Sequence, residues 1–439
     1  MLACQGEINS SYMIMSLGIV QQDALASFAG TIGLAVGVSA FLLALGALAL
    51  EIRYRLRPGN ELELTAGDWN WSVSEKHQYL LVGNLEFCNR NPYREVMVPE
   101  VKAEVKLLAK ASLEGITCKT QVIPRHRDEA PRPDGYWFAY IIKPEEKTGL
   151  EIAIDIQGEN LEALQTAWLQ VHYTTYGPEG RIVKVRHIVL PLKFPDTNTP
   201  LNWRHTSCAE VLPIPTHILT PLDNPVAVAK RYALPHAKPG DVVALSETPV
   251  AIMQEQWRHH SQIKPGWVAK RLCQFFYRTS SMSTACGLQS LVDISGPVRV
   301  IFALAVGAIA KKFFGIPGVF YQLAGEQARL IDDVTGTLPP YDQFIVLGPK
   351  NPQQVVDQIQ QETGLAAAIV DANDLKAVKI LAASADVSIE LLEQALISNP
   401  AGNANEQTPL VLVRPTQSLS DYQLAPVEVL ESNKSRAVP

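Results

Sequence analysis

Residues 344–374 read FIVLGPKNPQQVVDQIQQETGLAAAIVDAND, and this stretch decides the fold of the carboxyl-terminal half of the chain. Its first four residues, Phe344 to Leu347, are apolar, which is typical of a short buried strand. Asn351 followed by Pro352 suits the start of a helix, and Gly364 suits its end. A second apolar run, residues 366–370, comes next. We therefore predict a strand, a crossover helix and a second strand parallel to the first.

Acidic residues follow the second predicted strand, where Asp371 and Asp374 stand. Ligands of sheets with parallel strands bind outside the carboxyl ends of those strands. The loop before Pro352 would also direct helix amide groups towards an anion. Acidic residues are equally common as turn formers and caps, so the pattern leaves both a functional and a purely structural role open for Asp371.

The composition is that of a globular protein with room for two or three domains. The chain has 439 residues, of which 47% are hydrophobic and 19% are charged, and its formal net charge is −6. Lysine and arginine form no stripe interleaved with aromatic residues, which argues against nucleic-acid binding. The six cysteines are widely scattered. They follow none of the spacings of zinc sites, and we expect no disulfide framework.

Residues 24–50 contain no charged residue. This run is longer than the roughly 20 residues needed to cross a bilayer. The preceding tail, residues 1–23, has no lysine or arginine, whereas Arg53, Arg55 and Arg57 follow the run. A signal peptide would have a basic start and a shorter apolar centre. We therefore predict one transmembrane helix over residues 24–50, with the remaining chain on the cytoplasmic side of the membrane.

From residue 58 to residue 195 the hydrophobic period changes to two. Ile152, Ile154 and Ile156 alternate with polar or small residues, and the turn at residues 177–180 suits a hairpin. Seven or eight short strands at this spacing predict an antiparallel β-sandwich. Residues 196–211, rich in proline, threonine and asparagine, are predicted to link it to a mixed α/β domain over residues 212–415. Residues 416–439 are predicted to form a flexible tail.

Two further acidic positions in the carboxyl-terminal domain are candidates for a site. Glu247 follows the predicted strand of residues 242–245, where it suits a ligand, an acid/base group or an exposed turn. Asp332 and Asp333 are adjacent carboxylates, which a cation would hold ionised together, although exposed pairs at helix ends need no metal. The apolar residues 300–310 are too few to span a bilayer and predict a buried core helix.

Several segments of this domain resemble the bacterial branch of the coenzyme F420-0:L-glutamate ligase (gamma-glutamyl ligase) family. They include Pro239-Gly240-Asp241, the run from Val370 to Leu375, and Glu406-Gln407-Thr408-Pro409. The resemblance extends over about residues 212–415 and includes neither the anchor nor the sandwich. It implies an α+β protein that joins glutamate to a carboxylate activated as an acyl phosphate, acting as a dimer with GTP and Mg²⁺ or Mn²⁺.

The resemblance also implies roles for individual residues. It places two aspartates in catalysis and metal binding, with a third carboxylate beside the metal. The two aspartates are Asp332 and Asp371, and the third carboxylate is that of Asp333. The nucleotide-binding positions that it implies are Glu247, Lys350 and Asn351, and the substrate-binding positions are Asn373 and Asp374.

The sequence departs from the family where phosphate groups are bound. The family's arginine-rich run after the second aspartate is replaced by Asn373-Asp374-Leu375-Lys376, and a Gly-Arg pair is replaced by Glu255-Gln256. Arginine supplies paired donors to phosphate and stabilises charge in the transition state. Two hypotheses follow. The first is a membrane-anchored ligase for a small carboxylate or amino acid, and the second is a catalytically inactive ligase fold that binds a ligand or partner.

Overall fold

The protein is described here from a computed structural model. The structure describes residues 34–53, 62–75, 77–177, 179–196, 199–278, 280–331, 338–374, 376–402 and 406–416. The predicted tails therefore lie outside the described residues, apart from Thr416. Asp332 and Asp333 lie outside them as well.

Antiparallel strands account for the amino-terminal domain, and nine of them lie within its described residues. These strands are β1 (Leu62–Leu64), β2 (Asp68–Glu75), β3 (Gln78–Asn89), β4 (Val96–Ala109), β5 (Thr117–Arg125), β6 (Tyr140–Ile142), β7 (Lys147–Gln157), β8 (Leu164–Gly177) and β9 (Gly180–Pro191). One sheet has the order β1-β3-β7-β5 with β2 on β3, and the other has the order β6-β4-β8-β9. The predicted sandwich is confirmed, with one or two strands more than the pattern indicated.

The sandwich core forms where the period-two pattern predicted it. Ile152, Ile154 and Ile156 on β7 are fully buried, while the residues between them face outward or lie partly exposed. Phe87 meets the ring of Tyr173 edge to face at 5.2 Å, which ties the two sheets together. Because successive side chains of a strand point to opposite faces, the alternation alone places this half of the core.

A mixed sheet forms the centre of the carboxyl-terminal domain. Its six strands have the order β10-β11-β17-β12-β15-β16. Only β12 and β15 are parallel to each other, whereas all other neighbours are antiparallel. The strands are β10 (Arg204–His205), β11 (Ala209–Ile214), β12 (Val242–Ser246), β15 (Ala366–Ala372), β16 (Val378–Ala383) and β17 (Leu410–Pro415), and a separate two-stranded sheet contains β13 (Trp257–His259) and β14 (Phe344–Val346). The predicted linker, residues 196–211, thus already contains β10 and the start of β11.

Helices surround this sheet and also form a subdomain between β13 and β14. The helices in the described residues are α1 (Leu34–Arg53), α2 (Pro225–Val228), α3 (Glu247–Met253), α4 (Trp267–Leu272), α5 (Ala285–Ser295), α6 (Pro297–Phe314), α7 (Val319–Ala324), α8 (Gln327–Leu330), α9 (Pro352–Thr363) and α10 (Ile389–Leu396). Ser388 caps α10, since its hydroxyl accepts a hydrogen bond from the amide of Leu391 at 3.3 Å.

Helix α1 is the one helix of the described residues that alone is long and apolar enough to cross a membrane. None of its hydrophobic stretch is buried against the rest of the protein. A membrane span and a signal sequence both have these properties. The predicted span, residues 24–50, overlaps α1 from residue 34, and its earlier part lies outside the described residues.

The predicted parallel unit of residues 344–370 is wrong in its strand pairing. Helix α9 forms as expected and ends at Gly364, which has φ +71°. However, β15 pairs in parallel with β12 on one side and with β16 on the other, so it has no free edge for β14. Strand β14 instead pairs antiparallel with β13. The strands that pair with β15 are determined by contacts within the folded domain. The local hydrophobic pattern of β15 does not indicate these contacts.

The start of α9 also differs from the prediction. Asn351 adopts a left-handed conformation, with φ +45°, and its side chain makes no capping hydrogen bond. The amide of Lys350 instead donates to the Gln254 side chain at 2.6 Å. The entrance to α9 is therefore held by a partner from the α3–β13 loop, and Pro352 supplies the first helical position as predicted.

The predicted buried core helix over residues 300–310 is wrong. It forms the middle of α6, in which only Val300 and Ala303 are buried. Phe302 and Ile309 are more than half exposed. Apolar length identified a helix correctly, but the subdomain covers only one side of it.

A hydrophobic cluster joins the two domains. Trp168 and Val189 of the sandwich pack with Trp257, Phe344 and Val346 of the carboxyl-terminal domain. Polar contacts flank this cluster: Arg186 pairs with Glu255, and the Gln262 side chain donates to the Val185 carbonyl at 2.6 Å. The domains therefore share buried apolar surface in addition to the linker.

Candidate functional site

A cleft of about 840 Å³ opens at the carboxyl ends of the two parallel strands, β12 and β15. Ser246 and Val370 are the last aligned pair of these strands. Glu247 and Asp371 each follow by one residue, and both line the cleft. Since neighbouring strands lie about 5 Å apart, the register brings two carboxylate residues to one end of the sheet. This is the position that α/β topology favours for a ligand.

Glu247 is held at the junction of a strand and a helix. Strand β12 ends at Ser246, and Glu247 is the first residue of α3. The side chain is 8% exposed, which is unusual for a glutamate and requires polar or ionic partners. The exposed-turn alternative for Glu247 is therefore wrong.

Asp371 lies in the penultimate position of β15 and is partly buried. Burial raises the pKa of its carboxyl group above the usual value, and the charge of Lys379, opposite it on β16, lowers the pKa by a smaller amount. Water hydrates the ionised form of Asp371 poorly, which favours a cation or a hydrogen-bond donor beside it.

The far rim of the cleft is a turn that begins at Asn399. This residue is buried and left-handed, with φ +48°. Its side-chain amide donates to the Asp374 carboxylate at 2.7 Å and to the Gly402 carbonyl at 3.3 Å. The Thr408 hydroxyl donates to the Ala401 carbonyl at 2.7 Å. Asp374 thus positions the rim through Asn399.

One wall of the cleft contains His217, which the sequence pattern did not identify as part of a site. The side chain is buried, and each ring nitrogen has a partner. Nδ1 lies 2.6 Å from the Tyr232 hydroxyl, and Nε2 lies 2.9 Å from the Asp223 carboxylate. Asp223 also accepts a hydrogen bond from the amide of Thr220 at 2.9 Å. Because both ring nitrogens are engaged, His217 holds this wall of the cleft in place. The only sign of this role in the sequence was an aspartate six residues later.

The structure brings some of the predicted site residues together and separates others. Glu247, Asp371 and Asn373 line the cleft. Asp374 adjoins it through Asn399. Lys350 and Asn351 stand on the loop before α9 and do not line the cleft. Asp332 and Asp333 lie outside the described residues, although Leu338, the first described residue after them, lines it.

The described lining of the cleft contains two carboxylate residues and no cationic residue. Carboxylate oxygens such as those of Glu247 and Asp371 are the ligands that Mg²⁺ and Mn²⁺ prefer. Within the described part of the chain, no group of three or more His, Cys, Asp or Glu residues is arranged to hold a metal. No lysine or arginine is among the described residues that line the cleft, so it offers a triphosphate no cationic clamp.

Fold and site together define an α+β protein in which an Ig-like sandwich is joined to a mixed-sheet domain that carries a polar cleft. Residues 63–194 match the family model described as F420-0:gamma-glutamyl ligase, N-terminal Ig-like domain. The match supports the resemblance to the ligase family and indicates a relative of that family. The match covers the sandwich, whereas the sequence motifs that resemble the family lie in residues 212–415.

No curated protein matches the chain. Solved structures that it resembles include a yeast GGA1 GAE domain (12% identity, 31% of this chain and 96% of that chain, TM-score 0.20) and a protein from Archaeoglobus fulgidus (14%, 30% and 100%, TM-score 0.17). The E. coli chaperone DraB is a third (11%, 36% and 70%, TM-score 0.17). These TM-scores are too low to support an argument about this protein.

Proposed function

We propose that this protein is a membrane-anchored, gamma-glutamyl ligase-like protein whose cleft binds a small carboxylate or amino acid together with Mg²⁺ or Mn²⁺. The observation that carries the proposal is the alignment of Glu247 and Asp371 just beyond the last paired residues of β12 and β15. The match of residues 63–194 to the N-terminal domain of the ligase supports the same class.

Glu247 and Asp371 would hold the cation, with Asp332 and Asp333 as further proposed ligands from the segment before Leu338. Glu247 is buried, and burial raises the pKa of Asp371, so a bound cation would offset the cost of ionising Asp371. A divalent cation at this place would polarise a substrate oxygen. Asn373, which also lines the cleft, offers an amide for orienting a substrate carboxylate or amine.

A second candidate function is ligand binding on the ligase fold without the ligation reaction. It is favoured by the described lining, which holds carboxylate, amide and hydroxyl groups but no lysine or arginine. Transfer of a phosphoryl group depends on cationic groups that stabilise the developing charge. We therefore assign the cleft no step that involves GTP. The homodimer that the family resemblance implies remains a further proposal.

The cation proposal predicts that Mg²⁺ or Mn²⁺ stabilises the full chain in detergent. A ligand at about 100 times its dissociation constant adds about 2.7 kcal/mol. For a domain of this size that corresponds to a rise in melting temperature of roughly 5–10 °C. Asp371→Asn removes a ligand charge but keeps the shape of the side chain, so it should abolish the rise. Asp357→Asn on the exposed face of α9 is the matched control and should keep it.

The same variant tests the structural alternative for Asp371. Since burial raises the pKa of Asp371, its ionised form lowers the stability of the folded state above that pKa, and acid removes this penalty. Without metal, Asp371→Asn should be as stable as the native protein or more so at pH 7, and the difference should vanish in acid. If the variant fails to fold without metal, Asp371 is a turn-forming residue and the cation proposal fails. Absence of any metal shift in the native protein contradicts it too.

We also propose that α1 anchors the protein with both folded domains on the cytoplasmic side, because Arg53, Arg55 and Arg57 follow the apolar run. The protein should then stay with membranes in high salt, which screens electrostatic attachment but not apolar burial. A protease added to the cytoplasmic face should digest residues 62–416. Protection of these residues would reverse the proposed topology, and loss of α1 from the mature chain would identify it as a signal sequence.

A further inference from the structure

The helical subdomain between β13 and β14 carries a large exposed apolar surface. We call it the apolar surface and define it by Trp267, Phe275, Val298, Phe302, Ile309 and Phe313, which are between 52% and 79% exposed. Four of these residues lie on α6. Clustered exposed apolar side chains of this size mark a place where a soluble domain meets a partner or a membrane.

Helix α6 has two apolar faces, and the fold uses only one. Val300, Ala303 and Gly307 recur at spacings of three and four residues; the first two are buried in the subdomain core, and Gly307 faces α7. A Cβ atom at Gly307 would lie 3.0 Å from the backbone nitrogen of Phe320, which shows how closely the two helices approach. The exposed positions 298, 302, 309 and 313 are four or seven residues apart, which places them together on the outer side of α6.

The bend before α6 lays this helix along the protein surface instead of letting it span a membrane. Helices α5 and α6 meet at an angle of 112°, at Gly296 with φ +81°. Leu288 and Leu291 of α5 are fully buried in the subdomain core. Since α5 belongs to this core, it cannot enter a bilayer with α6. Only the outer face of α6, about 27 Å long, is open to an apolar phase.

The segment that carries the apolar surface is strongly positive, although the chain as a whole is negative. Residues 264–316 contain seven lysines or arginines and one acidic residue, a net charge of +6 in a chain of −6. The acidic residue, Asp293, is paired with Arg258 at 2.7 Å. Lys311 lies over the ring of Tyr277, with 4.5 Å between its Nζ and the ring centroid. Aromatic and aliphatic side chains rimmed by lysine and arginine are the features of a helix that lies in the interface of an anionic membrane.

We infer that the apolar surface docks on an anionic lipid bilayer, with α6 lying in the headgroup region and Lys312, which flanks the exposed face, directed towards the lipid phosphates. This contact is separate from α1 and from the cleft. It would hold the carboxyl-terminal domain against the membrane in one orientation. The occupant is a lipid surface, because the segment that carries the apolar face has a net charge of +6 and a second copy of it would bring like charges together.

Hydrogen exchange on the full chain in vesicles tests this inference. The amides of α4 and α6 should exchange more slowly in phosphatidylcholine vesicles that contain 30% phosphatidylglycerol than in pure phosphatidylcholine vesicles or in detergent. Each neutralised lysine at an anionic surface weakens binding about fivefold. Lys312→Gln should therefore reduce the protection by about fivefold, whereas Lys311→Gln, on the side of α6 that faces α7, should reduce it less. Phe302→Glu combined with Phe313→Glu should abolish it.

The control is Val183→Glu, which places one glutamate at a 62% exposed apolar residue of the sandwich and should leave α6 protected. Circular dichroism of each variant shows that the fold is kept. Equal exchange of α6 in both kinds of vesicle overturns the inference. Protection that rises with protein concentration in detergent overturns it as well, because it would identify a second copy as the occupant. Neither result depends on metal or ligand binding in the cleft.

Discussion

Phe344→Ala should lower the free energy of unfolding of the full chain by about 3–5 kcal/mol, which is among the largest effects of a single core substitution. Phe344 is fully buried at the centre of the cluster that joins the two domains. Its ring lies 4.6 Å from that of Trp257, 5.8 Å from that of Trp168 and 5.2 Å from that of His187. Truncation leaves a cavity between rigid rings of both domains that cannot collapse around it.

Denaturant unfolding of the full chain in detergent measures this change. Tyr93→Ala removes an aromatic ring that is 82% exposed, so it should alter stability by less than about 0.5 kcal/mol. A loss of under about 1 kcal/mol in Phe344→Ala would show that the two domains do not depend on this cluster. The two domains would then be held together mainly by the linker.

Acid should separate or unfold the domains, and His187 should be the main cause. Burial, followed by the charge of nearby His259, lowers the pKa of His187 to about 3, and neither ring nitrogen has a hydrogen-bond partner among the described residues. A histidine whose pKa is depressed in the folded state contributes stability above its ordinary pKa of 6.5 and loses it as the pH falls towards 3. The slope is about 1.4 kcal/mol per pH unit, so going from pH 6 to pH 4 should cost about 2–3 kcal/mol.

The variant His187→Leu removes the titrating ring and its unpartnered nitrogens while roughly filling the same space. It should equal or exceed the native protein in stability at pH 7. Between pH 6 and pH 4 its unfolding should take up about one proton fewer, so its stability should fall less steeply with acid. His236→Leu, at an exposed histidine, is the control and should keep the native slope. An unchanged slope in His187→Leu would assign the acid sensitivity to other groups. His259, whose burial lowers its pKa to about 4, would then be the next residue to replace.

Local sequence patterns determined much of the secondary structure. The alternation of Ile152, Ile154 and Ile156 placed one face of the sandwich core, because a strand has a period of two wherever it lies. The bounds of α9 followed from Pro352 and Gly364, whose backbone preferences act within one turn. The position of Asp371 at the end of a strand was visible for the same reason.

Contacts distant in sequence decided the rest of the candidate site. Glu247 and Asp371 lie at the same end of the sheet because β12 pairs with β15 across more than a hundred intervening residues. The wall formed by His217 and the rim held by Asn399 come from two other parts of the chain. Neither residue has a local pattern that separates it from an ordinary turn or core residue.

The same distinction explains two of the incorrect predictions. The sequence by itself determined that residues 344–346 are a strand and that residues 300–310 are helical, since both follow from hydrophobic period and length. Only the tertiary structure decided that β14 pairs with β13 and that one face of α6 stays open. Strand partners and burial depend on which surfaces meet after the chain has folded, and an apolar residue has the same local signal whether it meets a core or a membrane.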